Sequence, residues 1–198
     1  MPASRVVQTQ NAGSPPDMPA VARVVVLVGL PGSGKSTIGR HLARRLQVDL
    51  IDTDVLIEGR LGETIRAFFE REGEDRFRQI EHEVLRDALA SSRRCVMATG
   101  GGIVLRSDNR CLLAKGAFVV YLRSSPEELA RRLRHDRQRP LLQVANPLAK
   151  LRELYRVRDP LYREVAHFTV ETGRPSVALL TQTIATQMEL SGLWPSDG

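Results

Sequence analysis

VVVLVGLPGSGKST, residues 24–37, joins an apolar run to a loop almost bare of side chains that ends in one lysine. The run is β-branched, with no polar alternation, and reads as a buried strand. Residues 29–36, GLPGSGKS, fit the spacing G-x-x-x-x-G-K-[ST] throughout. Apolar Ile38, Leu42 and Leu46 then recur at helical spacing. Strand, glycine loop and helix in that order form a cradle for phosphate. Glycines let backbone N–H groups curl around phosphate oxygens, and the helix N-terminus adds partial positive charge. Lys35 is placed to reach the β- and γ-phosphates of a nucleotide, and the Ser36 hydroxyl to ligate Mg²⁺.

Further strand-like runs follow: VDLID near residue 50, CVMA from Cys95, AFVVYL from Ala117 and HFTVE from His167. Helical patterns alternate with them. Residues 74–91 place Phe77, Ile80, Val84 and Leu85 on one face. SPEELARRL carries Ser125 as cap, Pro126 at the first position and Glu128 completing a capping box. A last helix is expected over 176–189. The alternation predicts an α/β, P-loop three-layer sandwich with a five-stranded parallel sheet flanked by helices. It covers residues 21–190 as one domain. Two stretches exceed what crossovers need. Residues 54–92 hold three helical stretches, and residues 134–147 are arginine-rich and closed by proline. They read as a substrate-binding insertion and a lid. Residues 1–20 read as a disordered extension and 191–198 as a frayed tail.

Magnesium needs another oxygen donor, usually an Asp ending a neighbouring strand. The third strand runs into Gly100, Gly101 and Gly102, and the fourth ends at Arg123. By elimination the acid comes from DLIDTD. Asp52 and Asp54 are two apart at a strand end and share a direction. Asp52 is assigned to the metal shell and Asp54 to orienting and deprotonating an acceptor hydroxyl. A helix N-cap is the alternative for Asp54. The D-x-x-G and N-K-x-D signatures of GTPases are missing from the sequence. An acid placed to meet a hydroxyl points to a small-molecule kinase.

The chain has 198 residues, a net charge of +6 and 5% aromatics. Arginine suits carboxylate and phosphate because its fork donates two parallel hydrogen bonds. A nucleic-acid binder would interleave basic and aromatic residues. Here the arginines are spread through every helix, so no nucleic-acid partner is expected. No apolar run approaches the ~20 residues of a membrane span, so no membrane partner is expected either. Two cysteines are too few for a disulfide scaffold, which fits the cytoplasm. His41, His82, His135 and His167 read as ordinary surface or helix residues.

LVGLPGSGKSTIGRHLA, IDTD, FRQIE, TGGG, RPLL and RDPLYREVA occur in the order and approximate spacing of the shikimate kinase family, which the chain resembles over residues 22–185. The resemblance implies ATP-dependent phosphorylation of the 3-hydroxyl of shikimate, with Mg²⁺. A lid that must move favours a monomer. It places ATP on Gly32, Ser33, Gly34, Lys35, Ser36 and Thr37, with Arg132 near the adenine and Arg174 in the loop covering its other side. It gives the substrate carboxylate to Arg78 and Arg158. It lets Gly100, Gly101 and Gly102 approach the ring, where Asp54 meets the hydroxyls. Arg139 would swing in from the lid to neutralise the transferring phosphoryl group. On sequence alone Arg78 has an i,i+4 surface pair with Glu74 as its alternative, and Arg158 a solvated charge on an arginine-rich helix. Glu81 is either a brace for Arg78 or an exposed helix charge. Gluconate kinase is the nearest rival reading, since gluconate is also a hydroxylated carboxylate.

Overall fold

A computed structural model describes residues 22–91, 93–134 and 146–192. Arg139, His135, most of the expected lid, residues 1–20 and the end of the tail lie outside the described residues.

The strands are β1 (Val24–Val28), β2 (Asp49–Asp52), β3 (Cys95–Ala98), β4 (Phe118–Arg123) and β5 (Phe168–Glu171). They form one parallel sheet in the order β2-β3-β1-β4-β5. Both faces of β1 are apolar because both are covered. Val24, Val26 and Val28 pack in one core with Leu113, Leu129, Leu154 and Tyr162. Val25 and Leu27 turn to the other face and pack with Ile38, Leu42, Leu180 and Ile184. Each such side chain contributes about 1.5–3 kcal/mol on burial. This is the expected three-layer α/β sandwich.

Helices α1 (Lys35–Leu46) and α7 (Val177–Leu190) cover the second face. The first face takes α4 (Ser107–Gly116), α5 (Pro126–Leu133) and α6 (Pro147–Val165). α5 starts with the expected capping box between Ser125 and Glu128. α4 has no counterpart in the sequence reading. α6 extends the arginine-rich helix around Arg158 through an interior proline, Pro160. Between β2 and β3 lie α2 (Thr53–Leu61) and α3 (Ile65–Ala90). α3 is broken at Gly73, whose φ of 81° and ψ of 176° leave the helical region. The insertion thus has three helical stretches, with its own small core of Ile57, Phe68, Phe77, Ile80 and Val84.

The chain passes from β1 to one side of the sheet and later returns to the other. Its switch point is at β1, flanked by β3 and β4. Ligands of such sheets bind outside the C-terminal strand ends at that point.

Candidate active site

A cavity of about 580 Å³ opens at the C-terminal end of β1. One wall is the loop from Gly29 to Gly34. Gly32 and Gly34 have φ of 86° and 95°, a region costly for any side chain. Gly34 is the N-cap of α1, which has neither a side-chain cap nor an acid in its first turn. The first turn of α1, with its N–H groups and the positive end of the helix dipole, therefore borders the cavity, the arrangement that binds anions. Lys35 is buried, and its ammonium donates to the carbonyls of Gly29 at 2.8 Å and Leu30 at 3.0 Å. Ser33 Oγ stands 3.5 Å from it. The cation is held against the loop it serves. Ser36 and Thr37 also line the cavity.

Opposite the loop, β2 ends in Asp52. Its Oδ2 accepts a hydrogen bond from the Ser36 hydroxyl at 3.1 Å. Its Oδ1 accepts from the Asp54 N–H at 3.0 Å. Asp52 is therefore the N-cap of α2, not Asp54, which lies in the first turn. Both acids line the cavity. A hydroxyl and a carboxylate meeting beside a phosphate cradle is a donor set suited to Mg²⁺, which keeps several waters and takes few protein ligands. Among the described residues no group of three or more His, Cys, Asp or Glu offers a denser metal site.

The far wall is the glycine turn after β3. None of Gly100, Gly101 and Gly102 has a left-handed φ, so their smallness matters for what approaches them. An added Cβ on Gly100 would stand 2.8 Å from Asp54 Oδ1. On Gly101 it would stand 2.9 Å from Cδ of Pro31. On Gly102 it would collide with the guanidinium of Arg78. The turn is also tied to α2, because the Gly100 N–H donates to the Thr53 hydroxyl at 3.2 Å.

Arg78 makes the i,i+4 pair with Glu74, though not as a surface charge. Nη2 pairs with Glu74 at 3.1 Å, and Nη1 with Glu81 at 2.7 Å. The guanidinium lies 5.1 Å from the centre of the Phe77 ring and is only 14% exposed. Glu81 is 2% exposed, so it is a buried brace and not an exposed helix charge. Burial raises its pKa, the Arg78 charge opposes that rise, and Asp54 adds to it. Arg158 is not a solvated charge either. Its Nη1 donates to the Gly101 carbonyl at 2.9 Å, and Glu81 feels its field.

A profile of the shikimate kinase family matches residues 31–189. The shikimate kinase of Paracidovorax citrulli is 57% identical over 171 residues, covering 85% of this chain and 93% of that protein. The chain belongs to the shikimate kinase family. The shikimate kinase of Ralstonia nicotianae is 50% identical over 169 residues, covering 85% of this chain and 88% of its own. A solved shikimate kinase from Acinetobacter baumannii, in complex with shikimate, superposes with a TM-score of 0.80 at 45% identity, over 86% of this chain and 94% of that one. Shikimate kinase activity, an ATP-dependent step of aromatic amino acid biosynthesis, goes with this membership, and the gluconate kinase reading is set aside.

As a shikimate kinase the chain has most of its expected site residues around one cavity. Arg132 lines it, with its guanidinium donating to the Thr172 carbonyl, to the Thr172 hydroxyl at 3.2 Å and to the Ser124 hydroxyl at 3.5 Å. Arg174 is exposed in the loop after β5 and is not among the groups lining the cavity. His41 is exposed on α1. His82 is on α3 and meets Asn109 at 2.7 Å. His167 departs from expectation. It is half-buried just before β5, its Nδ1 accepts the Val119 N–H at 3.1 Å, and burial lowers its pKa. Thr53 and Tyr162 are site-building residues that sequence reasoning missed. Tyr162 lies within RDPLY, four residues after Arg158, and that spacing was the available signal.

Proposed function

We propose that the chain transfers the γ-phosphoryl group of ATP to the 3-hydroxyl of shikimate, with the donor on residues 29–37 and the acceptor between α3 and the glycine turn. One observation carries this reading: a single cavity brings Lys35, Ser36, Asp52, Asp54 and Gly100 together.

The triphosphate takes the position against the loop that the Lys35 ammonium now faces. Ser36 and Asp52 would hold Mg²⁺, which would offset charge on the phosphate oxygens. Arg78 and Arg158 grip the shikimate carboxylate through paired N–H donors, and Glu81 keeps Arg78 in place. Asp54 accepts the proton of the 3-hydroxyl as the new O–P bond forms. The bond to the β-phosphate oxygen breaks and ADP leaves. Catalysis is chiefly positioning and charge neutralisation. On the family pattern Arg139, outside the described residues, adds a further positive charge, with Arg132 and Arg174 toward the adenine.

The charged surface supports a small anionic substrate over nucleic acid. Many arginines outside the site are spent on carboxylates, such as Arg60 on Glu83, Arg110 on Glu164 and Arg152 on Glu127. No helix among the described residues is long and apolar enough to cross a membrane. Every group assigned here comes from one chain, so a monomer suffices, in the cytoplasm where ATP is available.

ADP release with shikimate, gluconate and quinate offered separately tests the reading, with Asp54→Asn run in parallel. Shikimate is expected to support turnover far above the other two. The Asn variant is expected to lose about 10²-fold in kcat or more with an unchanged melting temperature. Faster turnover of gluconate or quinate would overturn the substrate assignment, and full activity of the Asn variant the role of Asp54.

A further inference from the structure

The carbonyl oxygen of Gly101 accepts two hydrogen bonds from one face of α6. Arg158 Nη1 donates at 2.9 Å and the Tyr162 hydroxyl at 2.5 Å. Both lone pairs of the oxygen are thereby used. The two donors are four residues apart and so stack one above the other along the helix. On the side where a Cβ would project, the same glycine faces the Pro31 ring of the phosphate loop. The peptide is fixed from two directions.

Tyr162 is the better anchored of the two donors. It is 0% exposed. Its ring stacks on Tyr121 with centroids 4.9 Å apart. Burial pushes its pKa upward, so it stays a neutral donor wherever the enzyme works. The hydroxyl of Tyr121 is itself held by Asp159 at 2.9 Å. Arg158, by contrast, is half-buried and ends at the glycine turn.

We propose that Tyr162 is a positioning residue of the acceptor site. Its hydroxyl holds the Gly101 carbonyl in the orientation that Arg158 uses as an anchor. A guanidinium is a rigid fork of five N–H donors. Fixing one of them on Gly101 sets the direction in which the others meet the substrate carboxylate. Without the hydroxyl the peptide plane is free to turn, and Arg158 loses its aim. The loss falls on acceptor binding. The inference rests on the assignment of Arg158 to the shikimate carboxylate.

Tyr162→Phe removes only the hydroxyl and keeps the stacked ring. Steady-state kinetics with each substrate varied, beside a thermal melt, read its effect. The KM for shikimate is expected to rise about 5- to 10-fold, with kcat and the KM for ATP within about two-fold. Tyr121→Phe, which deletes a hydroxyl from the same buried stack, is expected to lower the melting temperature without moving the KM for shikimate. Arg158→Lys is expected to raise that KM, and adding Tyr162→Phe to it should cost less than in the parent chain. Equal changes in both KM values, an unchanged KM for shikimate in Tyr162→Phe, or an equal effect of Tyr121→Phe would overturn the proposal. If Arg158→Lys alone leaves the KM unmoved, the carboxylate assignment itself falls. If Arg158→Lys raises it and Tyr162→Phe does not, only the positioning role falls.

Discussion

At the donor end of the cavity, one unbroken stretch, residues 29–37, supplies the loop, the lysine, the hydroxyl and the helix terminus. At the proposed acceptor end, Asp54 comes from α2 and Gly100 and Gly101 from the turn after β3, all lining the cavity, while Arg78 and Glu81 from α3 and Arg158 and Tyr162 from α6 meet that turn. The donor end is shaped by backbone and by left-handed glycines. The acceptor end is shaped by side chains that hold one another: Glu81 on Arg78, Arg158 and Tyr162 on Gly101. Such a division puts general phosphate chemistry in a local motif and substrate choice in tertiary packing. Damage to the first should appear in rate, and damage to the arginines and braces of the second in affinity, with Asp54 alone at that end acting on rate.

The largest effect is expected at the donor end. Lys35→Met should lower kcat about 10³-fold, as loss of a preorganised charge at a transferring group does, while the KM for shikimate changes little. An equal rise in that KM would erase the distinction between the two ends. Arg78→Lys keeps a charge but loses the fork and its geometry on Glu81. It should raise the KM for shikimate about 10- to 100-fold and leave the KM for ATP nearly untouched. A fall in kcat alone would place Arg78 in the chemistry instead. Tyr162→Phe should give a smaller shift in the same constant. The smallest effect lies away from both ends. His167 is held neutral by burial, below its ordinary pKa. The unfolded chain takes up that proton as pH falls through about 6.5, and the folded chain resists it. The stability it contributes is present above that pH and lost below it. Melting temperature should therefore drop more on acidification in the parent chain than in His167→Asn, which keeps an acceptor for the Val119 N–H but cannot titrate.

Local chemistry was the legible part. The phosphate loop and the box between Ser125 and Glu128 depend on residues a few positions apart, and both are present as read. The acid pair comes from elimination among strand ends, and the cap weighed as the alternative role of Asp54 belongs to Asp52. Asp52 and Asp54 both fit an N-cap, and only the position where β2 stops selects Asp52. Glu81 could be paired with Arg78 from helical spacing. Its burial arises from the packing of α3 against the rest of the site, which no local pattern encodes. α4 begins without a side-chain cap and so lacks the usual start signal. α6 has one, with Asn146 as cap and Pro147 at the first position, but Pro160 inside it reads locally as a stop. Three glycines in a row announced close approach, but not which groups approach.

Those groups are three different working parts: a carboxylate at Gly100, the edge of the phosphate loop at Gly101 and a guanidinium at Gly102. The turn is thus a spacer of fixed thickness between donor and acceptor machinery. Even a single methyl group there would pry the parts from one another, whatever its effect on folding. Attempts to retune the enzyme toward bulkier alcohols therefore have little room along this seam. The helical insertion over residues 53–90, with a small core of its own, is the better place to carve such room.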